Sequence, residues 1–151
     1  MSSSLFWFCL IIALLAGAVM PTQAAVNHKL STYVQHPVYS AIISFGVGTL
    51  ALLVYLLVAG LPLKNLLLAK NAPIIAWTGG LLGAFFVSAI VWLVPRLGVA
   101  LTFSILIAGQ MLVTLLIDHY GFLDVPVKTI NLPRLLAVVL VIAGVWLFRR
   151  F

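Results

Sequence analysis

Pro37 and Pro62 bracket the stretch VYSAIISFGVGTLALLVYLLVAGL, residues 38–61, which contains no charged side chain. At 1.5 Å per residue a helix of this length reaches about 36 Å, enough to cross a hydrocarbon core of ~30 Å. The prolines mark its limits, because proline disfavours helix in the residue before it and suits a first helical turn. The rest of the chain has the same character: 65% of its residues are hydrophobic and 7% are charged. A soluble domain carries roughly 25% charged residues. So little charge leaves no polar shell to keep the chain dissolved, and an integral membrane protein is predicted.

Four more apolar stretches fill most of the remaining sequence. They run from about Leu5 to Ala25, Ile74 to Val94, Gly98 to Ile117 and Leu135 to Phe148. Pro73 and Pro95 flank the third span, and the fifth lies between Pro133-Arg134 and Arg149-Arg150. A closed barrel would need alternating segments of about ten residues, and that pattern is absent. The expected fold class is therefore an all-α membrane protein, a single five-helix transmembrane domain covering residues 1–151. The first stretch has a rival reading as a cleaved leader, since Thr22-Gln23-Ala24-Ala25 loosely resembles a cleavage site. Met1-Ser2-Ser3-Ser4 lacks the positive residues of a leader, and the apolar run is longer than a leader's core. Retention as a span is expected.

Five spans put the termini on opposite sides. One side receives Lys64, Lys70, Lys128 and Arg134; the other receives Lys29, Arg96, Arg149 and Arg150. Orientation follows the excess of Lys and Arg, and four against four gives no excess. Other signals could fix one orientation, or the chain could insert both ways up. Dual insertion would let two copies form an antiparallel homodimer with the geometry of an inverted repeat. The net charge of +6 is scattered over loop anchors and forms no stripe, so nucleic acid is not an expected partner. Cys9 is the lone cysteine and excludes an intrachain disulfide framework.

Helix association in lipid relies on close backbone approach and buried polar contacts. Small residues recur at four-residue spacing in Ala13/Gly17, Ser40/Ser44/Gly48, Gly79/Gly83 and Ala100/Ser104/Ala108. Ordinary packing within the chain is the simplest use for each row, and one of them could line a subunit interface.

Polar residues inside spans carry more information, because each must find a partner or line a wet cavity. Pro21 removes a backbone donor from the first span, and Gln23 places an amide nearby, with Asn27 one turn further on. Gln110, Thr114 and Asp118 recur every four residues and form one stripe on the fourth span. Asp118 belongs to the membrane boundary, as an anchor sooner than as a proton carrier, whereas Gln110 lies deeper. Trp77 and Thr78 open the third span, where Trp77 suits either an aromatic belt or stacking on a planar or cationic solute. These observations nominate Gln23, Asn27, Trp77, Thr78, Gln110 and Thr114 as solute-binding residues.

His28, His36 and His119 lie at span ends without the spacing of a metal site. No nucleophile–base pair or phosphate-binding loop is present, so neither an enzyme nor a bound cofactor or metal is expected. The two acids, Asp118 and Asp124, both lie outside mid-span positions. Proton exchange through a mid-membrane carboxylate is then unavailable, and amide, hydroxyl and aromatic groups favour neutral or zwitterionic solutes.

A set of motifs in order along the chain resembles the bacterial YdcZ-like family. They are Pro21-x-Gln23-x3-Asn27-x2-Leu30, Ser44-Phe45-x2-Gly48-Thr49, Trp77-x-Gly79-Gly80-x2-Gly83-Ala84 and Pro95-x2-Gly98. Gly109-Gln110, Ile117-Asp118-His119-x-Gly121 and Arg134-Leu135-Leu136 complete the set. Ala137 departs from it, standing where the family tends to have glycine. The resemblance implies a multi-pass inner-membrane exporter of the drug/metabolite transporter superfamily. It further implies that the chain corresponds to one five-helix half of the ten-helix members. It fixes no substrate. The combined expectation is a secondary carrier of a small organic solute, working by alternating access as an antiparallel homodimer or as a heterodimer with a paralogous chain. A non-transporting accessory subunit of a membrane complex is the alternative.

Overall fold

The computed structural model describes residues 3–150. Met1 and Ser2, which entered the leader-peptide reading, lie outside them. Five helices follow in order: α1 (Ser3–Val34), α2 (Pro37–Val58), α3 (Ile74–Leu97), α4 (Val99–Tyr120) and α5 (Leu132–Arg150). Among the described residues there is no strand, and all five helices are long and apolar enough to cross a membrane. The all-α membrane reading of the sequence is correct.

The helix limits differ from the apolar runs in instructive ways. α1 has 32 residues, about 48 Å by helical rise, and continues nine residues beyond the expected end at Ala25. The segment Val26–Val34 is polar enough to end an apolar run, yet it contains no residue that breaks a helix. The break comes at Gln35, with φ +62°, and at Pro37. Pro21 sits inside α1, where its missing N–H leaves the Gly17 carbonyl without its usual donor. Pro95 likewise lies within the last turn of α3, not beyond it. At α5, Asn131 caps the helix by accepting a hydrogen bond from the Arg134 amide (3.1 Å), so the helix begins three residues earlier than its apolar run. His36 does the same for α2, its Nδ1 accepting from the Val38 amide at 3.2 Å. In these cases, capping and turn chemistry set the boundary, and hydropathy does not report it.

The chain divides into two compact units, Met1–Pro95 and Arg96–Phe151. In the first, α1 and α2 pack side by side as an antiparallel pair joined by Gln35 and His36. Small residues let them approach: Ala24, Asn27, Ser40 and Ala41 are all buried, and Ser40 Oγ donates to the Asn27 carbonyl at 2.7 Å. Ser40 thus serves the intrachain packing expected of its small-residue row. A 3-10 segment, Leu63–Asn71, carries Lys64 and Lys70 between α2 and α3.

In the second unit α4 packs along α5. Gly121 ends α4 at φ +64°, and its amide donates to the Ile117 carbonyl. A side chain there would be doubly obstructed, because an added Cβ would lie 2.7 Å from Val127 Cγ2. The described chain buries few apolar side chains, Val91 and Val138 among them. Lipid, and not a dry core, is the solvent for the remaining apolar faces.

Candidate functional site

Within the first unit, two adjoining cavities meet at Gln23. The smaller lies between α1 and α3, with Asn27, Met20 and Ala24 on one side and Phe86, Val87, Ile90 and Val91 on the other. Its volume is about 10 Å³, room for roughly one water molecule. The larger, of about 270 Å³, is a cleft lined by Gln23 of α1, Ser44, Phe45, Gly48, Thr49 and Leu52 of α2, and Val87 of α3.

Helical rise gives the depth of these residues. Counted from the α1–α2 corner, Asn27 and Ser44 lie about 10 Å along their helices, and Gln23 and Thr49 about 16–18 Å. The apolar run of α1 ends at Ala25, so Gln23 lies near its end and Asn27 just beyond it, while Ser44 and Thr49 lie inside the apolar run of α2.

Polar atoms taken out of water must be satisfied by another partner. Asn27 is 4% exposed. Its backbone carbonyl accepts from Ser40, but its amide side chain has no hydrogen-bond partner among the described residues. The Gln23 amide has none either. Several other hydroxyls on these helices are tied to backbone carbonyls: Thr22 to Ala18 (3.0 Å), Ser31 to His28 (2.6 Å), Thr32 to Lys29 (2.7 Å) and Thr78 to Ile75 (2.7 Å), whereas Ser88 of α3 makes no such bond. Ser44 and Thr49, in the cleft wall, make no such bond.

The nominated residues are thus distributed unevenly. Gln23 and Asn27 are brought together. Trp77 is exposed, lines neither cavity, and stands at the start of α3; the Thr78 hydroxyl is occupied by its own helix. Gln110 and Thr114 belong to the second unit. Gln110 is exposed with an unpartnered amide, and Thr114 Oγ1 donates to the Gln110 carbonyl at 2.7 Å.

Thr114 also lines a pocket of about 170 Å³ with Met111, Leu115, Asp118, Arg134 and Ala137. Its polar side is cross-linked. Arg134 Nη1 donates to Asp118 Oδ2 at 3.3 Å and to the Lys128 carbonyl at 3.0 Å, while the Lys128 amide donates to the Asp118 carbonyl at 2.8 Å. His119 Nδ1 accepts from the Ile130 amide at 3.2 Å. Asp118 is an anchor joining α4, the loop and α5.

Sequence reasoning missed Ser44, Phe45 and Thr49 as cleft residues. Ser44 was visible as a member of a small-residue row and was assigned to packing. The row is in fact divided, with Ser40 in the α1–α2 seam and Ser44 one turn away in the cleft. The histidines divide as well: His36 and His119 act as acceptors for loop and cap amides, whereas His28 Nδ1 is buried without a partner. Among the described residues, no cluster of His, Cys, Asp and Glu could hold a metal ion.

A family model described as "Putative inner membrane exporter, YdcZ" matches residues 8–147. No curated protein and no solved structure matches the chain.

Proposed function

The chain belongs to the YdcZ family, and from that premise we propose that it is a secondary exporter of a small organic solute whose binding site is built around Gln23 and Asn27. Membership supports a transporter over an enzyme and an inner-membrane location. The observation that carries the reading is the pair of unpartnered amides on two adjoining cavities. An amide buried in lipid without a partner is costly, at roughly 1–3 kcal/mol by protein mutational measures. A helix that keeps two of them one turn apart has a use for their donors and acceptors.

The working form is an antiparallel dimer that opens alternately to each side. Two features support it. The basic residues divide four and four between the two sides, leaving orientation unbiased. Gln110, about 16 Å along α4 from its start by helical rise, presents an exposed, unpartnered amide at mid-span. A second copy would remove it from lipid and add it to the solute path, with Trp77, Thr78 and Thr114 further along the wall. In this reading the chain is functionally one half of a carrier.

Two experiments test the proposal. Solute efflux from proteoliposomes should fall about tenfold or more with Gln23→Leu and with Gln110→Leu, the equivalent of losing one good hydrogen bond in the path. Unchanged flux in both variants would remove the site. Reporter fusions at the C-terminus should be active on both membrane faces; activity on a single face would exclude the antiparallel pair.

A further inference from the structure

We infer that the 270 Å³ cleft takes an uncharged, hydrogen-bonding solute, and that Ser44 and Thr49 of α2 complete its binding site opposite Gln23. The inference rests on the exporter reading for its physiological use, and on the cleft's own chemistry for its substrate class.

The wall of the cleft and of the cavity beside it contains no titratable side chain. Its polar groups are the amides of Gln23 and Asn27 and the hydroxyls of Ser44 and Thr49. Amides and hydroxyls each both donate and accept. Such a set can satisfy a carbonyl, an amide N–H or a hydroxyl on a solute, and it supplies no countercharge to an ion. An ion drawn out of water into a wall that offers no countercharge is disfavoured, so the same wall that welcomes a neutral solute rejects its charged analogue.

What distinguishes this wall is that two unbonded hydroxyls face an unbonded amide across one cleft; Ser88 of α3, also unbonded, lines neither cavity. Serine and threonine in a helix commonly return their proton to the carbonyl one turn back. Five others on α1, α2 and α3 donate to backbone carbonyls. Ser44 and Thr49 do not, and both border the cleft. Asn27 supplies an independent sign of a ligand, as an amide 4% exposed, without a partner, on the wall of the space next door. Phe45 and Leu52 give the cleft an apolar side, with Gly83 of α3 close behind the ring: a Cβ at Gly83 would lie 3.4 Å from Phe45 Cζ. The volume falls just below the roughly 300–1,000 Å³ of drug-sized sites. The fitting solute is accordingly small, with an amide or hydroxyl edge and an apolar or aromatic face.

The test uses the full chain in lipid nanodiscs with Cys9→Ser as background, Cys9 being exposed and remote from the cleft. Ser44→Cys, Thr49→Cys and, as a control, Leu50→Cys on an exposed part of α2 outside both cavities are each labelled with a neutral methanethiosulfonate and with cationic and anionic analogues. The two cleft positions should react with the neutral reagent about tenfold faster than Leu50→Cys and about tenfold faster than with either charged reagent. Benzamide should slow the neutral reaction at Ser44→Cys, and size-matched benzoate and benzylamine should not. Adding Gln23→Leu should abolish the protection by benzamide. Cleft positions as unreactive as Leu50→Cys, or equal protection by the charged compounds, would overturn the inference. Protection with this selectivity, combined with flux that ignores Gln23→Leu, would instead leave the cleft as a binding site and remove it from the exported solute's path.

Discussion

The two units handle their polar atoms in opposite ways. In Arg96–Phe151 most polar side chains are tied to a partner: Asp118 to Arg134, Arg134 to Lys128, His119 to Ile130, Asn131 to the first turn of α5, and Thr102, Ser104 and Thr114 to their own helix. In Met1–Pro95, Gln23, Asn27, Ser44 and Thr49 remain unbound around a shared cleft. A satisfied polar group stiffens and specifies structure, whereas an unsatisfied one in a low-dielectric place awaits a ligand. The contrast separates a corner built for stability from a cavity built for binding. Substitutions in the two places should therefore fail in different currencies: folding at the α4–α5 corner, flux at the cleft.

The largest effect is expected at Gly121. Gly121→Ala forces an L side chain into the left-handed region and drives its Cβ into Val127, at 2.7 Å. A loss of about 2–4 kcal/mol follows from the conformational cost together with overpacking. Detergent-solubilised protein followed by circular dichroism would report it as an earlier melt. A melt unchanged from wild type would mean that the α4–α5 corner does not hold the unit together. Arg134→Met comes next. The ion pair with Asp118 is partly exposed, with side chains 30% and 22% accessible, so screening reduces its value. With the added bond to the Lys128 carbonyl, roughly 1–2 kcal/mol is expected. The efflux rate per folded molecule should stay within about twofold of wild type, as no more than a minor shift in ΔG‡ is involved.

How much of this was legible in the sequence depends on what kind of force was responsible. The five spans follow from hydropathy, because burying twenty apolar residues in lipid overrides local detail. The ends of the helices were less legible. Asn131 extends α5 through a single side-chain bond, and Val26–Val34 stays helical because nothing interrupts it. Gln23 and Asn27 could be nominated because amides in an apolar run are conspicuous. Ser44 could not, since a hydroxyl that packs and a hydroxyl that binds have the same letter; only the packing of α1 on α2 tells Ser40 from Ser44. Thr114 shows a different limit of the sequence. Its spacing from Gln110 and Asp118 made a stripe, yet its hydroxyl is taken up by the Gln110 carbonyl.

Asn27→Leu sharpens the contrast, because the two currencies should move in opposite directions. Replacing a buried, unpartnered amide with an apolar side chain of similar size removes a desolvation penalty, so stability should hold or rise by up to about 1 kcal/mol. Flux should fall about tenfold, as one polar contact to the solute is lost. A variant that melts early and also loses flux would show that Asn27 holds α1 to its neighbours, and would dissolve the distinction between the units. Thr114→Val marks the small end of the scale. The carbonyl that Thr114 bonds already takes part in the α4 helix ladder, and side-chain bonds of this i to i−4 kind add little, so a change within about 0.5 kcal/mol is expected. The informative quantity is its flux. Thr114 borders the Asp118–Arg134 pocket and lies one turn from the Gln110 amide, so unchanged efflux in Thr114→Val beside a tenfold loss in Gln110→Leu would confine the solute path to the amide. A loss in both would extend the binding surface down the stripe toward the Asp118–Arg134 corner.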